Sequence, residues 1–523
     1  MAYASHEELS RGETSLRYSL NGLWKFHHAL NAGQTIPGFE AANYDSRGWA
    51  DIHVPSHIQM EGYGVPQYAN MQYPWDGYQQ VEIGEIPKEY NPVASYIKTF
   101  FLPKSMIGKR VFISFQGAES CIAVWLNGHY VGFSSDSFTP SEFELTEYLV
   151  AGENKLAYRV ERWSAGSWLE DQDFMRFSGI FRDVYLYAIP KAHIADICVK
   201  TVLDDSFTDA TLDLTLSMTL DQNAGACKVN MELLDGGTRI VQARYRAEDK
   251  FAVQMTVKAP RLWSSEAPNL YDLLLTVETE SGEVLEVVRQ RVGFRRFELK
   301  NAIMLLNGKR IVFKGVNRHD FCAESGRAVS ADKIRRDLLT MKRNNINAVR
   351  TSHYPNSSIL YDLCDELGLY VVDENNMETH GIWDVVARGK KPLEYALPGN
   401  RMEWLMMLLD RVNSTYQRDK NHASILIWSC GNESFGGDVI FEMSQKFRQL
   451  DNTRLVHYEG VARDRRRNET TDMESQMYTP LAKIKQYLAV HRERPFILCE
   501  YTHSMGNSNG AIESASGAGH PRL

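Results

Sequence analysis

From Arg295 onward the sequence alternates between short apolar runs and amphipathic segments, and this alternation limits the fold more than any other feature. The runs are "RIVFKGVNRH", "AVRTSHY", "YVVDENN", "SILIWSCGNES", "LVHYEG", "DMESQMY" and "FILCEY". Segments such as "SADKIRRDLLTMKRNN" and "WLMMLLDRVNSTYQRDKN" lie between some of them, with apolar residues at helical spacing. A repeated strand-helix order implies parallel strands joined by crossover helices, and seven such units in succession point to a (β/α)8 TIM barrel. Such barrels build their active sites at the C-terminal ends of the strands.

Nearly every run ends in polar residues. Asn317, Arg318 and His319 follow strand 1, Arg350 and His353 lie on strand 2, and Asp373, Glu374 and Asn375 close strand 3, with Glu378 and His380 beyond it. Strand 4 leads to Asn432 and Glu433, strand 5 to His457, Tyr458 and Glu459, strand 6 to Tyr478 and strand 7 to Glu500. Any one of these is an ordinary loop residue; in a barrel all of them converge on one cleft. Two carboxylates at the ends of different apolar strands suggest glycoside hydrolysis, which needs one acid to protonate the leaving oxygen and one carboxylate to attack or to activate water. Glu433 and Glu500 are the best-placed pair. Glu378 and His380 put a carboxylate and an imidazole side by side, a partial site for a hard divalent ion, although that spacing alone has little specificity.

At 523 residues the chain exceeds a single core, and about 100 to 200 residues per domain implies three or so domains. Residues 1–190 read as a jelly-roll β-sandwich: "RVFISFQGAES", "CIAVWLNGHYVGFS", "NKLAYRVERW" and "RDVYLYAI" are short strands, and Asn127-Gly128 is a hairpin signal. Residues 191–294 carry strands of alternating Leu, Val and Thr at the spacing of a small immunoglobulin-like sandwich, with few chemistry-bearing residues. Residues 295–523 are the catalytic barrel. The expected fold is therefore multidomain: jelly roll, immunoglobulin-like sandwich, then an incomplete barrel.

A formal charge of -8 argues against a nucleic-acid partner, and the basic run "RDRRRN" is short enough to be a solvated loop. The N-terminus lacks an apolar core region and no run of about 18 apolar residues occurs, so no membrane segment is expected and a cytoplasmic location is. Seven cysteines without a C-x-x-C pair favour reduced, buried thiols over disulfides or zinc.

The motifs "GVNRHD", "NAVRTSHYPN", "LGLYVVDENNMETHG", "QRDKNHASILIWSCGNES" and "ILCEYTHSMGNS", in this order, resemble those of the glycoside hydrolase family 2 β-galactosidases. The N-terminal half agrees through "LNGLWKF", "NPVASYIKTF" and "SWLEDQDFMRFSGIFRDVYL", and the resemblance runs to about Asn509. It implies retaining hydrolysis of terminal β-galactose through a covalent galactosyl-enzyme, with Glu500 as nucleophile and Glu433 as acid/base. A retaining pair lies about 5 to 5.5 Å apart. It further implies a magnesium ion on Glu378, His380 and Glu433, and a sodium ion on Asp173. The galactosyl unit would be held by Asn91, Asp173, His319, His353, Asn432, Tyr478 and His503, and Arg350 would orient the nucleophile. The related β-glucuronidases lack the combination of "METHG" and "EDQDFMR", which favours a galactoside.

Two other readings compete. Residues 506–510 satisfy G-x-S-x-G, the esterase elbow, but Ser508 stands well past the strand end, and only Glu513 and His520 follow, too near to serve as triad partners. A carbohydrate-binding protein with a decayed barrel would be expected to have lost one of the two glutamates. The C-terminal segment falls short of the about 250 residues typical of such a barrel. A barrel without its eighth strand would leave strands 1 and 7 as open edges. The expectation is a truncated chain, inactive alone, or one half of a split enzyme completed by a second polypeptide. Family members often form homo-oligomers.

Overall fold

The structure is a computed structural model and describes residues 2–503. The serine motif at 506–510, Glu513 and His520 lie outside the described residues, as does the segment on which the expectation of a missing eighth strand rests.

The first sandwich packs a six-stranded antiparallel sheet against a four-stranded one. Its central strands, Val93–Phe101 and Glu153–Glu161, are buried on both faces over most of their length: Ala94 and Tyr96 of one and Leu156, Tyr158 and Val160 of the other enter the core between the sheets, while Ile97 and Ala157 pack on the outer face. The opposing sheet contributes Val111, Ile113 and Phe115, with Val184, Leu186 and Ala188. The hairpin predicted at Asn127-Gly128 joins Cys121–Leu126 to His129–Ser134. Both turn residues have positive φ, 53° and 87°, the requirement that makes Asn-Gly the favoured pair there.

The second sandwich has a three-stranded and a five-stranded sheet. Along Asp209–Leu220 every second residue, from Ala210 through Leu212, Leu214 and Leu216 to Met218, is buried. The first strand of the chain, Ala2–Tyr3, adds to this second sandwich by pairing with Val287 and Val288, so the polypeptide touches the second unit before it builds the first. Arg295 pins the sandwich to the base of the barrel: its guanidinium donates to the carbonyls of Ala423 and Ile425, each at 2.7 Å.

The barrel strands are β1 (Gly315–Asn317), β2 (Ala348–Arg350), β3 (Tyr370–Glu374), β4 (Ile425–Ser429), β5 (Leu455–His457), β6 (Glu474–Met477) and β7 (Phe496–Glu500). The first five form one parallel sheet and the last two pair in parallel with each other. Outside them lie α1 (Ala331–Arg343), α2 (Ser358–Leu367), α3 (His380–Ala387), α4 (Leu405–Asp419), α5 (Asp438–Leu450) and α6 (Leu481–Val490). Side chains bridge the breaks in the sheet. His457 of β5 reaches Ser475 of β6 at 2.8 Å, and the Tyr501 hydroxyl after β7 donates to the Gly315 carbonyl of β1 at 2.6 Å. The two strands expected to be open edges are thus tied to each other at that point.

Among the described residues no helix is long and apolar enough to cross a membrane. All seven cysteines are free, five of them buried. The basic run is less loosely solvated than expected, because Arg465 pairs with Glu474, Arg466 with Asp464 and Arg467 with Asp438.

Candidate active site

The strand register sets the site. Asn317 pairs with Arg350 across β1 and β2, Glu374 with Ser429 across β3 and β4, and Ser429 with His457 across β4 and β5, so the polar strand ends meet at one level. Period-two alternation then sorts the candidates. Glu374 faces the lumen, while its neighbour Asp373 turns outward and accepts from Tyr361 of α2 at 2.6 Å. Asn375 likewise accepts from Thr415 of α4, Tyr458 donates to the Ser434 carbonyl, and Arg318 is buried against Asp320 and Asp337. These four strand-end residues are framework.

Arg350 is the centre of the lumen cluster. Its Nε donates to Glu374 Oε2 at 2.7 Å, Nη1 to Glu500 Oε1 at 3.0 Å and Nη2 to Asn432 Oδ1 at 2.9 Å. His353 places Nδ1 2.8 Å from Glu374 Oε1 and Nε2 3.7 Å from Glu500 Oε1. The Tyr478 hydroxyl donates to the other oxygen of Glu500, and the ring of His503 lies 6.2 Å from that of Tyr478. The ring of His319 stands 5.5 Å from that of His353.

Proton positions follow from this network. Ser429 Oγ donates to Glu374 Oε2 at 2.6 Å, so toward His457 Nδ1, 2.9 Å away, it can only accept. His457 therefore carries its proton on Nδ1 and accepts at Nε2 from Ser475. Burial pushes His457 down to about 3, with Arg350 adding to the effect, so it stays neutral. Glu374 ends as a fully buried acceptor of hydrogen bonds from Arg350, Ser429 and His353.

The two carboxylates singled out from the sequence sit in opposite environments. Burial pushes the Glu500 carboxyl up, but the Arg350 guanidinium and the Tyr478 hydroxyl outweigh it and hold it below the usual range. Glu433 is pushed up to about 8, mainly by burial, with Glu378, Glu459 and Glu500 adding to the rise and His380 opposing it. Such divergence between neighbouring carboxyls is how one site keeps an anion and an acid together at neutral pH.

Models of three units of one family match in succession. They are the glycosyl hydrolases family 2 sugar-binding domain over residues 17–190, the family 2 domain over 192–295 and the family 2 TIM barrel domain over 297–518. The beta-galactosidase large subunit of Latilactobacillus sakei is 41% identical across 98% of this chain and 83% of that protein. The chain belongs to glycoside hydrolase family 2. A beta-galactosidase of Halalkalibacterium halodurans is 52% identical across 95% of this chain but only 49% of its own length, so the chain spans about half of the longer relatives. Among solved structures, a beta-glycosidase from Bacteroides vulgatus superposes with a TM-score of 0.72 at 25% identity, covering 94% of this chain and 59% of that one. A beta-glucuronidase from Bacteroides uniformis superposes at 0.76 with 21% identity, covering 93% and 59%.

Within this family 2 chain the residues expected to hold magnesium do come together. Ligand atoms of Glu378, His380 and Glu433 all lie within 4.8 Å of one another. Both carboxylate oxygens of Glu378 and the Nδ1 of His380 are buried without a well-formed hydrogen bond, although Nδ1 lies 3.2 Å from Glu433 Oε2. Burial drives the Glu378 carboxyl well up, against a stabilising contact from Asn432. Orphaned oxygen and nitrogen donors of this kind fit a divalent cation. Asp173, the residue expected at sodium, accepts from Tyr68 at 2.6 Å through one oxygen and from Asn70 at 2.7 Å through the other. Asn91 is likewise occupied, its amide exchanging two 3.0 Å bonds with the backbone of Trp163.

Three residues of the site carried no assigned role in the sequence. Glu374 and His457 were legible as strand ends, and the alternation of "YVVDE" was the signal that picks Glu374 over Asp373. Ser429 had no signal, because a serine at the end of "ILIWS" is indistinguishable from a turn residue until its partners are seen.

Proposed function

We propose that this chain carries the catalytic centre of a retaining β-galactosidase, with Glu500 as nucleophile and Glu433 as general acid and base. The observation that supports this most is the opposite setting of the two carboxyls. Glu500, held ionised by Arg350 and Tyr478, is ready to attack an anomeric carbon; Glu433, held up at about 8 by burial, is ready to give its proton to the departing oxygen. After the aglycone leaves, Glu433 as carboxylate takes a proton from water, and that water displaces Glu500 from the sugar. His353 and His319, pushed down to about 3 chiefly by burial, offer neutral rings to sugar hydroxyls, and Asn432 and His503 border the same space. A magnesium ion held by Glu378, His380 and Glu433 would supply positive charge that lowers the proton affinity of Glu433. The galactoside, rather than glucuronide, preference rests on the "METHG" and "EDQDFMR" combination and on relatives at 40% to 52% identity that are named beta-galactosidases.

The chain's match to proteins named large subunit favours a second polypeptide as its working partner, in the cytoplasm, where free thiols persist. The test is hydrolysis of nitrophenyl-β-galactoside by the purified chain, with and without magnesium and a C-terminal fragment of a longer relative. Turnover that needs the fragment and disappears in Glu500→Gln is the expected result. Turnover that survives Glu500→Gln overturns the nucleophile assignment, and no turnover under any condition overturns the reading.

A further inference from the structure

The sequence around the metal ligands is not self-sufficient. Residues Glu378–Thr379 form a two-residue parallel pair with Glu170–Asp171 of the first sandwich, Glu170 opposite Glu378 and Asp171 opposite Thr379. Helix α3 begins immediately afterwards, at His380, and its N-cap residue Thr379 makes no capping bond. The Thr379 hydroxyl is engaged instead with the Leu397 carbonyl at 2.7 Å. The first N–H groups of a helix need acceptors, and here one comes from another domain: Asp171 Oδ2 accepts from the Gly381 N–H at 2.8 Å. Asp171 is itself fixed by Arg176, whose Nη2 donates to Oδ1 at 2.7 Å while Nη1 donates to the Glu170 carbonyl at 3.2 Å. Asp171 is fully buried.

Gly381 makes the approach possible. A Cβ at that position would stand 3.0 Å from Tyr73 Cδ2 and 3.1 Å from Asp171 Oδ2, and the Tyr73 hydroxyl is anchored on the Trp168 carbonyl at 2.9 Å. The aspartate, the tyrosine and the glycine form a closed contact directly behind His380, with little room for the backbone there to shift.

We propose that Asp171 is a positioning residue for the metal site: capping α3 from the first sandwich, it sets the backbone that aims His380 at Glu433. This rests on the magnesium reading of Glu378, His380 and Glu433. It makes the first sandwich a structural part of the metal centre and gives Asp171 of "EDQDFMR" a task separate from that of Asp173.

The experiment is titration of the full 523-residue chain with Mn2+ alone, free ion followed by electron paramagnetic resonance, well below the unfolding temperature. Asp171→Ala is expected to weaken binding about 10- to 100-fold, the range for partners that orient metal ligands. Asp171→Asn, which keeps an acceptor oxygen for Gly381, should recover part of that loss, and Gly381→Ala should weaken binding from the opposite side of the contact. Glu170→Gln serves as control. Its carboxylate faces Arg411 and Asn376 rather than α3, so it should lower the melting temperature in EDTA while leaving Mn2+ affinity within about twofold. Wild-type affinity in a folded Asp171→Ala variant, or in a folded Gly381→Ala variant where Asp171→Ala does not fold, would overturn the proposal. A wild-type chain that binds no Mn2+ would overturn the metal reading itself, which is a different result.

Discussion

Glu374 holds Arg350 at 2.7 Å through Nε, and the same guanidinium reaches Glu500 at 3.0 Å through Nη1. The arginine therefore has one fixed end and one working end. A lone Arg350 facing Glu500 would have several rotamers available; with Nε tied to a fully buried carboxylate that also accepts from Ser429 and His353, it has one.

Replacing Glu374 by Gln removes the charge and leaves Arg350 and His353 without their anionic acceptor. Misplacement of a catalytic group by about 1 Å costs on the order of 100-fold, so kcat of the fragment-complemented chain on a nitrophenyl-galactoside is expected to fall by about that factor, with a smaller change in KM. Steady-state kinetics beside a melting curve check this. A drop in melting temperature with kcat unchanged would show that Glu374 serves the fold alone.

The pH dependence should depend on the cation. An acid on Glu433 must be protonated to give its proton away, so the rate falls as pH rises through its pKa. With chelator present, burial and the surrounding carboxylates place that value at about 8. A divalent cation on the same carboxylate favours its ionised form, so adding magnesium should move the alkaline limb to lower pH. Profiles of kcat against pH in EDTA and in excess magnesium measure the displacement, and coincident limbs would argue against a cation on Glu433.

Much of this was legible because a barrel turns sequence order into spatial order. Once seven apolar runs were recognised, the strand-end residues Arg350, Glu433, Tyr478 and Glu500 fell to one side of the barrel with no further information, and the hairpin at Asn127-Gly128 followed from turn chemistry. What stayed hidden were contacts between units far apart in sequence. Nothing in "EDQDFMR" says that Asp171 caps a helix beginning at His380, because the pairing depends on how the first sandwich seats against the barrel. For the same reason Ala2–Tyr3 gave no sign of joining the second sandwich. Asn91 and Asp173 are in this class too: the hydrogen bonds that occupy them, from Trp163 and from Tyr68 and Asn70, are tertiary facts.

The base of the barrel carries a separate, testable pH dependence. His422, just ahead of β4, places Nδ1 2.7 Å from Asp365 Oδ2 of α2, and the other oxygen of Asp365 accepts from the Ser424 N–H, also at 2.7 Å. Burial opposes the charged imidazole, but Asp365 outweighs it and raises His422 to about 9. A histidine raised above its unfolded value of about 6.5 contributes stability that is fully present below that pH and is lost as pH rises through the folded value, amounting to at most about 3 kcal/mol. The melting temperature should therefore decline between about pH 6.5 and 9, and His422→Gln should flatten that decline while lowering stability at pH 6. Differential scanning calorimetry of both chains across this range decides it. An equally steep decline in the variant would move the cause to another group.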